Sequence, residues 1–66
     1  MKTPQFINLQ DAVSGKWFLV NATHVTWIHR FGGNGLTALF NSGHSMILHN
    51  RQAKRLLQRL HDLRLT

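Results

Sequence analysis

Hydrophobic and polar positions alternate along much of the chain up to residue 49, at the period of two that is typical of β-strands. In the run Leu36–Phe40, for example, Leu36, Ala38 and Phe40 fall on one face, and we expect that face to be buried. Aromatic and β-branched residues strengthen the pattern in the second and third runs. The alternation predicts five short strands, at 5–9, 16–20, 25–30, 36–40 and 45–49.

Turn-forming residues separate these runs. Asn and Gly dominate the breaks because they tolerate the positive φ angles of tight turns. The Gly32–Gly35 segment lacks the Gly-Lys-Ser/Thr ending of a phosphate-binding loop and precedes a strand, so we interpret it as a hairpin loop. The predicted turns are 11–15, 21–24, 32–35 and 41–44.

The hydrophobic period changes to that of an α-helix after residue 50. The apolar stripe runs at helical spacing through Ala53, Leu56, Leu57, Leu60 and Leu63, and Asn50 is a suitable N-cap. The sequence therefore predicts an α+β fold in a single domain, residues 1–66. It consists of a small antiparallel sheet of four to five strands, over about 5–49, followed by one C-terminal amphipathic helix, over about 51–64.

One helix covers only part of such a sheet. Alternation therefore leaves apolar side chains on an uncovered face, and a patch of that kind usually marks an interface. We expect a homo-oligomer, specifically a dimer, with Trp17 and Trp27 at its interface. The alternative is a strongly curled sheet that buries both of its faces within one chain.

Several short motifs give the chain a family resemblance. They include Phe6–Leu9, Gly15–Asn21, an Asn41-x-Gly43 turn and the Met46–Leu48 strand before the terminal helix. In these motifs the chain resembles the FlbD/SwrD-type small flagellar proteins and is similar to the N-terminal half of LytTR DNA-binding domains. The resemblance covers roughly residues 5–60. It implies the same order of strands and helix and a regulatory role, although this chain has fewer acidic residues and a more basic helix.

The charge is strongly positive and unevenly distributed. The chain has 8 Lys and Arg against 2 Asp and Glu, a net charge of +6, and five of these cations lie after residue 50. A charged face opposite a leucine stripe is ordinary for a solvated helix, but such a face usually alternates acids with bases. The near absence of acids favours an anionic partner, and nucleic acid is our first candidate. The residues expected to bind it are Arg51, Lys54, Arg55, Arg59, Arg30 and Lys16.

The sequence gives little support for a catalytic site or a metal site. The chain has no cysteine, and its two acids, Asp11 and Asp62, are far apart in sequence. The His24/His29 and His44/His49 pairs are each five residues apart, so on strands their members would point to opposite faces. We therefore predict a non-enzymatic protein with no cofactor and no metal site.

The partner class stays open at this stage. The first hypothesis is a regulatory module that binds nucleic acid, and the alternative is an adaptor or inhibitor that docks an acidic partner protein. No apolar run has the length of a signal peptide or of a membrane span, so a cytoplasmic location is expected.

Overall fold

The computed structural model describes residues 4–64, and in it the chain has the predicted α+β class. The predicted domain limits at residues 1 and 66 lie outside the described residues. All five strands and the helix occur close to their predicted positions, with one additional 3₁₀ turn. The elements are β1 (Phe6–Gln10), β2 (Trp17–Asn21), the 3₁₀ turn (Ala22–His24), β3 (Val25–Phe31), β4 (Gly35–Phe40), β5 (Ser45–His49) and α1 (Asn50–Arg64).

The strands form two antiparallel sheets, a β1–β2 hairpin and a three-stranded sheet in the order β3-β4-β5. The division falls at the 3₁₀ turn, where the sequence predicted an interruption. There the Asn21 side chain accepts hydrogen bonds from the Thr23 amide at 3.0 Å and from the Thr23 hydroxyl at 2.6 Å. This local bonding turns the backbone out of strand geometry, so β2 and β3 belong to different sheets.

Asp11 joins the two sheets. The Ala12 amide donates to the Ile47 carbonyl at 2.8 Å, and the Ile47 amide donates to Asp11 Oδ1 at 3.3 Å. The other carboxylate oxygen accepts from the Ser14 amide and hydroxyl. Burial raises the pKa of Asp11, but the hydrogen bonds from Ser14, Ile47 and Val13 together bring that pKa below its ordinary value.

The core lies between α1, the inner face of β4–β5 and β1. The alternation in β4 is confirmed, because Leu36, Ala38 and Phe40 are all buried. Of the predicted helical stripe, Ala53 and Leu56 are buried, and the other three leucines are partly buried against the core. The largest fully buried side chains are Leu9, Leu36, Leu48 and Leu56.

The helix begins directly after β5, with no linker. Asn50 adopts a left-handed φ of 52°, a conformation that Asn tolerates better than most residues, and this turns the chain from strand to helix. Its amide donates to the Asn34 carbonyl at 2.9 Å, and its side-chain oxygen accepts from Asn34 Nδ2 at 3.2 Å. The β3–β4 turn therefore fixes the start of α1.

Large apolar side chains remain exposed on the outer faces of both sheets. Trp17 is 57% exposed on the outer face of the hairpin, and Trp27 is 52% exposed on the outer face of the three-stranded sheet. In contrast, Ile28 points inward and packs against the core. Within residues 4–64, curling of the sheets does not bury the two tryptophans.

We expect Leu56→Ala to lower the free energy of unfolding by about 3 kcal/mol, because it leaves a cavity beneath the helix. Leu56 is fully buried, whereas Val13 is 75% exposed, so Val13→Ala is a suitable control. Urea denaturation of both variants measures the difference. Equal effects would contradict the assigned core.

We expect Asp11→Asn to remove a pH-dependent contribution to stability. Since folding lowers the pKa of Asp11 below 3.8, the carboxylate stabilises the fold near neutral pH, and this stabilisation is lost as the pH falls through that lowered pKa. The measurement is the urea midpoint of wild type and variant between neutral and acid pH. The two should differ most near neutrality and converge in acid, whereas a constant difference would exclude this role.

Candidate nucleic-acid interface

The four basic residues that the sequence placed on the helix face do lie together. Arg51, Lys54, Arg55 and Arg59 line one shallow groove of about 380 Å³ along the outer side of α1. They share this groove because their spacing follows the helical repeat while the apolar stripe is turned toward the core. Gln58, Asp62 and Ile7 complete the lining.

Arg59 is engaged within the protein. Its Nη1 atom donates to the Pro4 carbonyl at 3.0 Å and to the Phe6 carbonyl at 2.9 Å. These oxygens belong to the edge of β1 that faces away from β2. The guanidinium therefore satisfies backbone acceptors that the hairpin would otherwise leave to solvent.

Arg55 also has an internal partner. Its Nη1 atom donates to Gln52 Oε1 at 3.1 Å, and the same oxygen lies 3.4 Å from the Gln10 amide, which donates to it. Gln52 and Arg59 thus form hydrogen bonds with backbone groups at opposite ends of the same edge of β1. The shortage of acidic residues in the sequence suggested that these helix cations lack internal partners. In the structure, backbone carbonyls and a side-chain amide are their partners.

Arg51 and Lys54 remain exposed at the N-terminal half of the helix. Lys54 also lines a small cleft with Arg30, between the β3–β4 turn and α1. Asp62 lies at the other end of the groove, where its carboxylate accepts from Gln58 Nε2 at 2.9 Å. Arg30, Arg51, Lys54 and Arg55 line this groove and the adjoining cleft, and we call these four residues the basic patch.

Lys16 lies elsewhere, in the turn of the β1–β2 hairpin. Its carbonyl accepts from the Asp11 amide at 2.9 Å, and its own amide lies 3.2 Å from Ser14 Oγ. Lys16 lines neither the helix groove nor the cleft that contains Arg30. Its backbone contributes to the structure of the turn.

The glycine-rich turn has a role that sequence reasoning missed. Gly33 and Asn34 line the cleft between Arg30 and Lys54, so backbone of this turn lies beside the basic patch. The contact follows from the hydrogen bonds between Asn34 and Asn50, which are sixteen residues apart. No local sequence signal reports such a contact.

The two members of each histidine pair are separated because one of them lies in a turn, and not because they point to opposite faces of one strand. His24 lies in the 3₁₀ turn and His44 in the β4–β5 turn, and both line a groove between β2 and that turn. His29 and His49 lie on the outer sheet face, where they contact Trp27 and Phe31 respectively. Across residues 4–64, no group of three or more His, Asp or Glu side chains is placed to hold a metal ion.

The part of the chain that the structure describes contains no helix with the length and hydrophobicity needed to span a membrane. Comparisons of this chain with known protein families, curated proteins and solved structures yield no match.

We expect Arg59→Gln to destabilise the fold by about 1 kcal/mol, because two backbone carbonyls lose a charged donor. Arg51→Gln removes the same charge from the same helix without removing a hydrogen bond to β1, so it should change stability by less than about 0.5 kcal/mol. Thermal unfolding of both variants at one salt concentration tests the difference. If the two variants were equally stable, Arg59 would have no special role at the β1 edge.

Proposed function

We propose that this chain is a small non-enzymatic regulatory module that binds nucleic acid through phosphate contacts of its basic patch. The observation that supports the proposal is that Lys54 lines both the groove that contains Arg51 and the cleft that contains Arg30, so cations of α1 and β3 lie in adjoining depressions. Exposed cations of this kind displace counterions from a nucleic acid and gain affinity by releasing them. In this proposal the module works in the cytoplasm as a homodimer.

The internal hydrogen bonds divide the predicted contact residues into two groups. Arg51, Lys54 and Arg30 are the principal phosphate ligands of the proposal, and Arg55 contributes with the donors that Gln52 does not use. Arg59 acts chiefly by holding β1 against the helix. Lys16 extends the positive field from the hairpin turn without belonging to the patch.

The regulatory part of the proposal rests on the resemblance of the chain to FlbD/SwrD-type small flagellar proteins and to the N-terminal half of LytTR DNA-binding domains. That resemblance covers roughly residues 5–60 and implies a regulatory role. Such a module acts by occupying a site or by recruiting a partner.

A second candidate function is an adaptor or inhibitor that docks an acidic partner protein. The exposed Trp17 and Trp27 favour it, because tryptophans on a surface are frequent anchors of protein interfaces. Docking through these residues would tolerate moderate salt and would be lost on truncation of the tryptophan that carries it. Binding through the basic patch would instead weaken as the salt concentration rises, because salt screens the charges.

We expect Lys54→Gln to weaken binding to a generic duplex and to reduce the slope of log affinity against log salt by about 1. Arg64→Gln is the matched control, since it removes one charge from the other end of α1, outside the basic patch. Fluorescence anisotropy titrations of a labelled duplex at several salt concentrations give both slopes.

An unchanged slope for Lys54→Gln would exclude the helix face as the contact surface. Equal reductions for both variants would mean that only the total charge matters. If wild type failed to bind the duplex at low salt, the nucleic-acid proposal would be wrong, and the acidic-protein alternative would take its place.

A further inference from the structure

β3 has a free edge. It is an outer strand of the three-stranded sheet, and within residues 4–64 its only strand partner is β4. With seven residues it is also longer than the other four strands, and after a register shift between Val25 and Trp27 its pairing is regular from Trp27 to Phe31. A long edge strand presents a row of unpaired N–H and C=O groups, which are ready to pair with another strand.

The direction of the backbone groups in β4 follows from two hydrogen bonds at its end. The Phe40 amide donates to the His44 carbonyl, on the β5 side, at 2.8 Å. The next amide, of Asn41, donates to the His24 carbonyl, on the β3 side, also at 2.8 Å. Because this direction alternates along a strand, the odd-numbered residues of β4 bond to β3 and the even-numbered residues bond to β5.

The same alternation fixes the free groups of β3. Leu39 and Thr37 stand opposite Trp27 and His29, so the backbone groups of these four residues point toward one another. Ile28 lies between the two pairs and therefore turns its N–H and C=O away from β4, at the centre of the free edge.

An apolar groove lies beside this edge. It has a volume of about 580 Å³ and lies between β3 and the C-terminal half of α1. Its lining includes the partly buried side chains of Val25, Ile28, Leu57 and Leu60, and His61 and Arg64 line its helix side. If another strand paired with β3, its side chains on the helix side of the sheet would lie over this groove.

Charge favours a second copy of this chain as the occupant. The five residues Val25–His29 include no Lys, Arg, Asp or Glu, although the chain carries a net charge of +6. Two copies can therefore pair along these five residues without opposing fixed charges, and the nearest cations are Arg30 on β3 and Arg64 in the lining of the groove. With a two-fold axis at Ile28, the Arg30 side chains of the two copies lie on opposite sides of that axis, so the two arginines do not face each other.

We propose that β3 pairs antiparallel with β3 of a second copy, so that two three-stranded sheets join into one six-stranded sheet. Both copies of α1 then lie on the same face of that sheet, and the two basic patches face the same side of the dimer. This inference rests on the dimer of the proposed function and is independent of the nucleic-acid partner.

The test is to methylate one backbone nitrogen, because this removes a donor and blocks strand pairing while every side chain is kept. At 66 residues the chain is accessible to chemical synthesis. One variant carries N-methyl-Ile28. The matched control carries N-methyl-Ser45, because Ser45 stands opposite Leu39, whose backbone groups face β3, and so its amide points away from β4 at the other edge of the sheet.

Sedimentation velocity measures the assembly of the unmodified chain and of both variants, and circular dichroism verifies that each is folded. We expect the unmodified chain and N-methyl-Ser45 to dimerise equally. N-methyl-Ile28 should raise the dimer dissociation constant about a hundredfold, because two symmetry-related hydrogen bonds are lost.

A monomeric unmodified chain at millimolar concentration would overturn the proposal, and so would a folded N-methyl-Ile28 chain that dimerises normally. Equal loss of dimer in both variants would also exclude β3 as the specific interface. Duplex binding is read separately. A dimer that does not bind the duplex contradicts nucleic-acid binding alone, whereas a monomer that binds it contradicts the β3 interface and the homodimer but leaves nucleic-acid binding standing.

Discussion

The contact between α1 and the edge of β1 holds the two parts of this small protein together. The hairpin and the three-stranded sheet share no continuous ladder, so each depends on a common support. The helix provides it in two ways, because its leucines fill the core while Gln52 and Arg59 bond to the backbone of β1. At the far end of β1, Asp11 adds a second link through Ile47.

This arrangement explains much of the unusual composition of the helix. A helix with several cations and one acid would suffer repulsion along its surface if all its charges pointed to solvent. Here Arg59 and Arg55 are held by oxygen acceptors within the protein, so their charges are partly compensated without carboxylates. Among the helix cations of residues 4–64, Arg51 and Lys54 near the start of the helix and Arg64 at its end are not held in this way. The basic patch is therefore smaller than the charge of the chain suggests, and it is more localised.

Within residues 4–64, the unpaired strand edge and the exposed apolar side chains lie apart from the basic patch. The free edge of β3 continues into the apolar groove beside it, and Trp27 lies on the outer face of the same strand. The helix presents its cations on the opposite side of the sheet from Trp27. Under the two proposals, assembly uses the edge of β3 and an anionic partner uses the basic patch, so the two contacts occupy different parts of the surface.

The sequence by itself determined the strands, the turns and the helix, because each depends on local alternation, on Asn and Gly at the breaks and on the leucine spacing. It also determined that four cations share one helix face. Only the tertiary structure decided that the strands divide into two sheets, that Arg59 bonds to Pro4 and Phe6, and that Arg30 lies near Lys54. These features join residues that are far apart in the chain, and hydrophobic periodicity reports which face a residue occupies but not which distant backbone group it meets.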